Sequence, residues 1–110
     1  MFDIAEINVF TYGPFTLVDS DNDFVQVQST MTSQYWLIKK FDAVGLPKMV
    51  LCHAHSVNDN YHVHCVYDSY DALLCYNEII THDKVITERK NLRERLTRLS
   101  NKQLVEAVFA

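Results

Sequence analysis

The sequence predicts an α+β fold, an antiparallel meander sheet of about five to six strands followed by two to three C-terminal helices. Three observations predict it. Through the first two-thirds of the chain, apolar residues alternate with polar ones or run in short β-branched and aromatic blocks. Turn residues separate those blocks, and from Asp68 onward the apolar spacing becomes helical. With 110 residues and no repeat, low-complexity tract or linker, residues 1–110 read as a single domain.

The first strands are expected in EINVFTY and FTLVD, which flank the turn signal Gly13-Pro14. In FVQVQST, residues 24–30, Val25 and Val27 alternate with Gln26 and Gln28, the pattern of a half-buried strand. QYWLIKKF, residues 34–41, is β-branched and aromatic and suits a more central place in the sheet. Gly45-Leu46-Pro47 breaks the chain before MVLCHAHS, and Asn58-Asp59-Asn60 turns it back into YHVHCVY. The turn DSDND, residues 19–23, begins like an EF-hand loop. Phe24 then stands where that loop needs Gly, and Thr30 where it needs a bidentate Glu, so a hairpin turn is expected.

Beyond the sheet, Asp68 or Ser69 can cap a helix running to about Ile80, with Leu73, Tyr76 or Asn77, and Ile80 at helical spacing. A second helix, from about Asp83, places Val85, Leu92, Leu96 and Leu99 on one narrow stripe. That stripe suits packing within the fold or across a homodimer. Ser100 with Gln103 forms a capping box for a last short helix in NKQLVEAVFA.

Four of the five histidines fall in LCHAHSVNDNYHVHCVY as two His-x-His pairs. In a hairpin the loop length decides which side chains share a face, because side chains alternate with period 2. An even loop sets His53 opposite His64 and His55 opposite His62, roughly 5.5 Å apart at Cβ. It also collects Val50, Cys52, Ala54, Val63, Cys65 and Tyr67 on the other face as a coherent apolar set, with Cys52 and Cys65 as cross-strand neighbours. An odd loop would split the two pairs between faces. The even register is therefore expected, with the histidines on the solvated side. His53, His55, His62 and His64 are the candidate metal ligands, suited to Zn, Ni or Cu, and Tyr61 or Asp59 could move protons nearby. Such a cluster could also respond to pH.

The stretch YHVHCVY resembles, over about six residues, the His-hydrophobic-His strand of HUH endonucleases. That resemblance implies that His62 and His64 hold a metal and that a helical tyrosine attacks DNA. Tyr70 and Tyr76 lie on the next expected helix, but neither has a Lys three or four residues on. The stretch is also similar in part to the repeated His-hydrophobic pattern of histidine-triad nucleotide hydrolases, with Val66 in place of the third histidine. Neither likeness is long enough to assign a family.

Charge is segregated along the chain. Residues 1–38 hold Asp3, Glu6, Asp19, Asp21 and Asp23 with no Lys or Arg, and residues 84–102 hold seven Lys or Arg against two Glu. The basic stretch makes Arg89, Lys90, Arg93, Arg98 and Lys102 candidate partner-binding residues, for another protein or, as an alternative, for nucleic acid. Two glycines leave no Gly-rich phosphate loop, and there is no activated nucleophile or convincing carboxylate pair. The three cysteines show no CxxC spacing, which points to a reducing compartment. No apolar run approaches the ~20 residues of a membrane span. The expectation is a cytoplasmic protein-protein interaction module, regulatory or inhibitory, without catalysis of its own. A histidine-cluster metal-binding protein or a metal-dependent hydrolase or nuclease is the alternative.

Overall fold

The computed structural model describes residues 1–98 and 101–109, without the side chains of residues 101, 104 and 107. Helix α1 (Ile4–Thr11) is followed by five strands, β1 (Phe15–Ser20), β2 (Phe24–Ser29), β3 (Tyr35–Lys40), β4 (Met49–Ala54) and β5 (His62–Tyr67), then by α2 (Ala72–Thr97) and α3 (Asn101–Phe109). The strands form one antiparallel sheet in the order β1-β2-β3-β4-β5, so the chain is α+β, with a five-stranded meander leading into a C-terminal helix. β3 holds the middle position, as its composition led one to expect.

Three parts of the chain depart from the sequence expectation. EINVFTY is helical, because Asp3 and Glu6 close a capping box that nucleates α1: Asp3 Oδ1 accepts from the Glu6 amide at 2.8 Å. The two helices expected to end at Ile80 and begin at Asp83 are one continuous helix, so the expected count of up to three C-terminal helices does not hold: one long helix, α2, covers that stretch, with the short α3 after it. Ala72, Cys75, Ile79 and Asp83 are buried at successive helical spacings, and that stripe carries the helix straight through the supposed break. The N-cap is Asp71, not Asp68 or Ser69, and its side chain accepts from the Leu73 amide at 3.0 Å. The Ser100 capping box lies outside the described residues.

The core lies on one face of the sheet. Val25 and Val27 from β2, Trp36 and Ile38 from β3, and Met49 and Leu51 from β4 meet Ala72, Cys75 and Ile79 from α2, while Phe2, Phe10 and Phe15 close the β1 side. Alternation along β3 also turns Lys40 to this face. Its ammonium is 2.6 Å from Glu6 Oε2 and sits 4.5 Å from the centre of the Phe2 ring. Residues of the opposite face, such as Gln26, Leu37, Val50 and Cys52, are only half-buried.

The first half of α2 packs on the sheet, and the second half leaves it: from Glu88 to Arg98 every residue is exposed. At 1.5 Å per residue, 26 residues give a rod of about 39 Å. The molecule accordingly measures 60 × 27 × 26 Å, with a radius of gyration of 18.0 Å against about 13 Å for a compact chain of this length. No helix among the described residues is long and apolar enough to cross a membrane.

Candidate functional site

The β4–β5 hairpin keeps an even loop, residues 54–61 between His53 and His62, but not the expected pairing of His53 with His64 and His55 with His62. Leu51 pairs with Cys65 and Cys52 with Val63, which leaves His64 as the extra residue of a β-bulge, and His53 pairs with His62. Pairing puts His62 on the side of His53 and period-2 alternation puts His64 there too, while the bulge turns Cys65 to the same side, opposite Leu51. The four histidines thus share a face as expected, the face of Met49 and Leu51: His53 is buried there, His64 is half-buried, and His55 and His62 at its edge remain exposed, so the expected solvated position holds for only two of them. Cys52 and Cys65 are not cross-strand neighbours, and Cys65 packs beside the core. Val63, assigned above to the core, is 62% exposed.

A fifth histidine completes the cluster. His82 comes from α2, and its ring centroid is 5.0 Å from that of His53 and 5.5 Å from that of His64. His53 also lies 5.0 Å from His55 and 5.1 Å from His62. Trp36 backs the group, 4.3 Å from His53 and edge-on to His64 and His82. Sequence reasoning missed His82 because Asp83 looked like a helix cap. The unbroken stripe through Ile79, with no Gly or Pro beyond Pro47, is the signal that would have placed it.

The rings are held by polar partners. His53 Nε2 is 2.7 Å from Gln34 Oε1 and therefore carries the proton, while the Gln34 amide donates to His55 Nδ1 at 3.3 Å. His64 Nε2 lies 2.9 Å from Glu78, and His82 Nδ1 3.1 Å from Asp83. Asp83 is fully buried, and its Oδ2 has no partner among the described residues. His53 is 2% exposed, and burial, reinforced by the four neighbouring imidazoles, lowers its pKa to about 4. In this arrangement no three donors among the described residues come together at a point that could hold a metal ion.

The tyrosines implied by the HUH resemblance are elsewhere. Tyr76 packs against Phe10 and Phe15, and the Tyr70 hydroxyl donates to the Phe41 carbonyl at 2.8 Å. Tyr61 accepts from Gln26 on the opposite face. None is in ring contact with the cluster, and burial raises the Tyr61 pKa further from use as a base.

The other sequence candidates gather on the projecting half of α2. Leu92 and Leu96 continue a stripe that starts at Val85, just before the helix leaves the sheet, and the three are 40% (Val85), 46% (Leu92) and 45% (Leu96) exposed; Leu99 lies outside the described residues. Arg89, Lys90, Arg93 and Arg98 surround the stripe, and Lys102 follows on α3, all exposed.

At the opposite end of the sheet, a groove of about 760 Å³ lies between α1, the start of α2 and the end of β3. Asp3, Glu6, Asp23, Asp42 and Asp71 line it over a floor that includes Val9, Phe41 and Leu73, with Lys40 the one cationic side chain among the described residues of the lining. Sequence reading missed this groove, since its carboxylates come from four separate segments. Comparison with known proteins gives no match: no family model, curated protein or solved structure is significantly similar to the chain.

Proposed function

We propose that the protein is a binding module for another protein, without chemistry of its own, and that the projecting half of α2 is its binding surface. The supporting observation is the open stripe of Val85, Leu92 and Leu96 on a helix that has left the body of the fold. A helix in water owes most of its stability to packing of its apolar face, so a stripe left open on an arm is half of a helix-helix or helix-in-groove contact. The Lys and Arg residues around it favour an acidic partner over a basic one. Capture from the native host on immobilised protein, compared with a Leu92→Asp/Leu96→Asp variant, tests the reading. Retained proteins that disappear with the variant support it, and identical retention on both sinks it. Steeply salt-dependent DNA binding lost on Arg93→Ala/Arg98→Ala would assign the arm to phosphate instead.

One observation favours a second reading, a Zn, Ni or Cu site at the cluster. His53, His64 and His82 each spend one ring nitrogen on Gln34, Glu78 or Asp83, the arrangement by which outer partners orient metal-binding imidazoles. The rings would have to turn toward a common point. Zinc titration by calorimetry, repeated with His53→Ala/His64→Ala, decides: no heat of binding with the unmodified protein removes the reading.

A further inference from the structure

We propose that the partner of the arm is a second copy of this chain, bound antiparallel, so that the basic arm of each copy lies over the acidic groove of the other. The inference rests on the reading of the arm as a protein-binding surface and adds the identity and seat of the partner. Charge complementarity carries it. In the groove Glu6 is neutralised by Lys40, but Asp3, Asp23, Asp42 and Asp71 are exposed and in no ion pair among the described residues. The arm presents Arg89, Lys90, Arg93, Arg95 and Arg98 against Glu88 and Glu94, with Lys102 beyond. One chain therefore carries both halves of an attractive pair, at opposite ends of the same helix.

The placement of the two halves selects the orientation. A parallel pair of α2 helices would set basic arm against basic arm and leave both acidic grooves at the far end. An antiparallel pair sets each arm against the start of the other copy's α2, where Asp71 and Leu73 belong to the groove. With Val85 on the two-fold axis, Leu96 comes level with Leu74 of the second copy and Arg98 with its Ala72, next to the groove carboxylate of Asp71. Leu73 and Leu74 are themselves 50% and 40% exposed, which gives the arm's apolar stripe a surface to cover at that end. A two-fold arrangement satisfies both arms and both grooves at once and closes on itself.

Sedimentation velocity with paired charge reversals tests the arrangement. Variant one carries Arg95→Glu/Arg98→Glu, and variant two Asp23→Lys/Asp42→Lys, which spares the helix-capping Asp3 and Asp71 and the Glu6–Lys40 pair. Circular dichroism establishes that each remains folded. The unmodified protein is expected to be dimeric, with each variant alone raising the dimer dissociation constant at least about tenfold. Mixing the two variants is expected to restore a heterodimer, because one of its two contacts is native and the other has both signs reversed. Failure of the mixture to associate overturns the proposal, as does an unmodified protein that is monomeric throughout. If host-protein capture still depends on Leu92 and Leu96 in that case, the arm reading survives without the second copy. A dimer that persists in Leu92→Asp/Leu96→Asp counts against the proposed seat and the arm alike.

Discussion

His53 of β4 and His82 of α2 stand with ring centroids 5.0 Å apart, one from the sheet and one from the helix that covers it. Burial above all, and then the His82, His55, His62 and His64 imidazoles, make His53 hard to charge. Its pKa is about 4 in the folded protein against 6.5 for a free imidazole. Between those values the unfolded chain binds a proton that the folded chain does not, so stability falls as pH drops from about 6.5 to about 4 and levels off below. The slope from this one group is at most about 1.4 kcal/mol per pH unit. Urea unfolding from pH 4 to 7.5 should show a shallower acid decline for His53→Gln than for the unmodified protein. Parallel profiles would remove His53 as the cause.

The Lys40–Glu6 pair makes an asymmetric prediction. Glu6→Gln leaves a buried ammonium without its counter-charge and should cost about 3 kcal/mol, the lower end for a broken buried pair because Glu6 keeps partial access to water. Lys40→Met keeps the volume, removes the buried charge and leaves a carboxylate that water can reach; it should change stability by less than about 1.5 kcal/mol. Equal losses in urea midpoint would contradict this.

Gly13 is required for space, not for its backbone angle. A Cβ there would sit 2.9 Å from Tyr76 Cε2 and 3.3 Å from Phe15 Cδ2, and the Tyr76 ring is hemmed in by Phe10 and Phe15. Gly13→Ala should destabilise by about 1–3 kcal/mol. The loss should shrink in a Tyr76→Leu background; a full, additive loss in the double variant would place the strain elsewhere.

The three thiols should differ in reactivity. Cys75 is fully buried, and burial, with the Cys65 thiol next in effect, raises its pKa to about 12. In the native protein at pH 8, iodoacetamide should modify Cys75 last, and only as the fold opens. Mass spectrometry of the labelled peptides checks the order; early labelling of Cys75 would mean that α2 lifts readily from the sheet.

Much of the fold was legible in the sequence because it rests on local pattern. Alternation in FVQVQST, the apolar block YWLI and the turn residues at Asp21-Asn22 and Gly45-Leu46-Pro47 each act over a few residues, and β2, β3 and β4 lie where those patterns placed them. EINVFTY has enough β-branched and aromatic residues to resemble a strand, yet a single capping interaction at Asp3 and Glu6 makes it helical. At the histidines, the argument from parity assumed an uninterrupted ladder. One unpaired residue, His64, leaves the histidines on a common face but changes their partners and turns Cys65 to the core side, and no neighbouring Gly or Pro marks the bulge.

By itself the sequence determined the α+β class, the strand content of residues 15–67, the gathering of His53, His55, His62 and His64 at one hairpin, and the apolar stripe on a basic C-terminal helix. Those features depend on side-chain spacing within single elements, which chain geometry sets directly. Only the tertiary structure decided that His53 is buried beside the core, that His82 and Gln34 join the cluster, that α2 runs unbroken past the sheet, and that five carboxylates from four segments line one groove. Each of these depends on how separate elements pack, where burial of residues such as Trp36, Ile79 and Asp83 outweighs the local preferences of the residues around them.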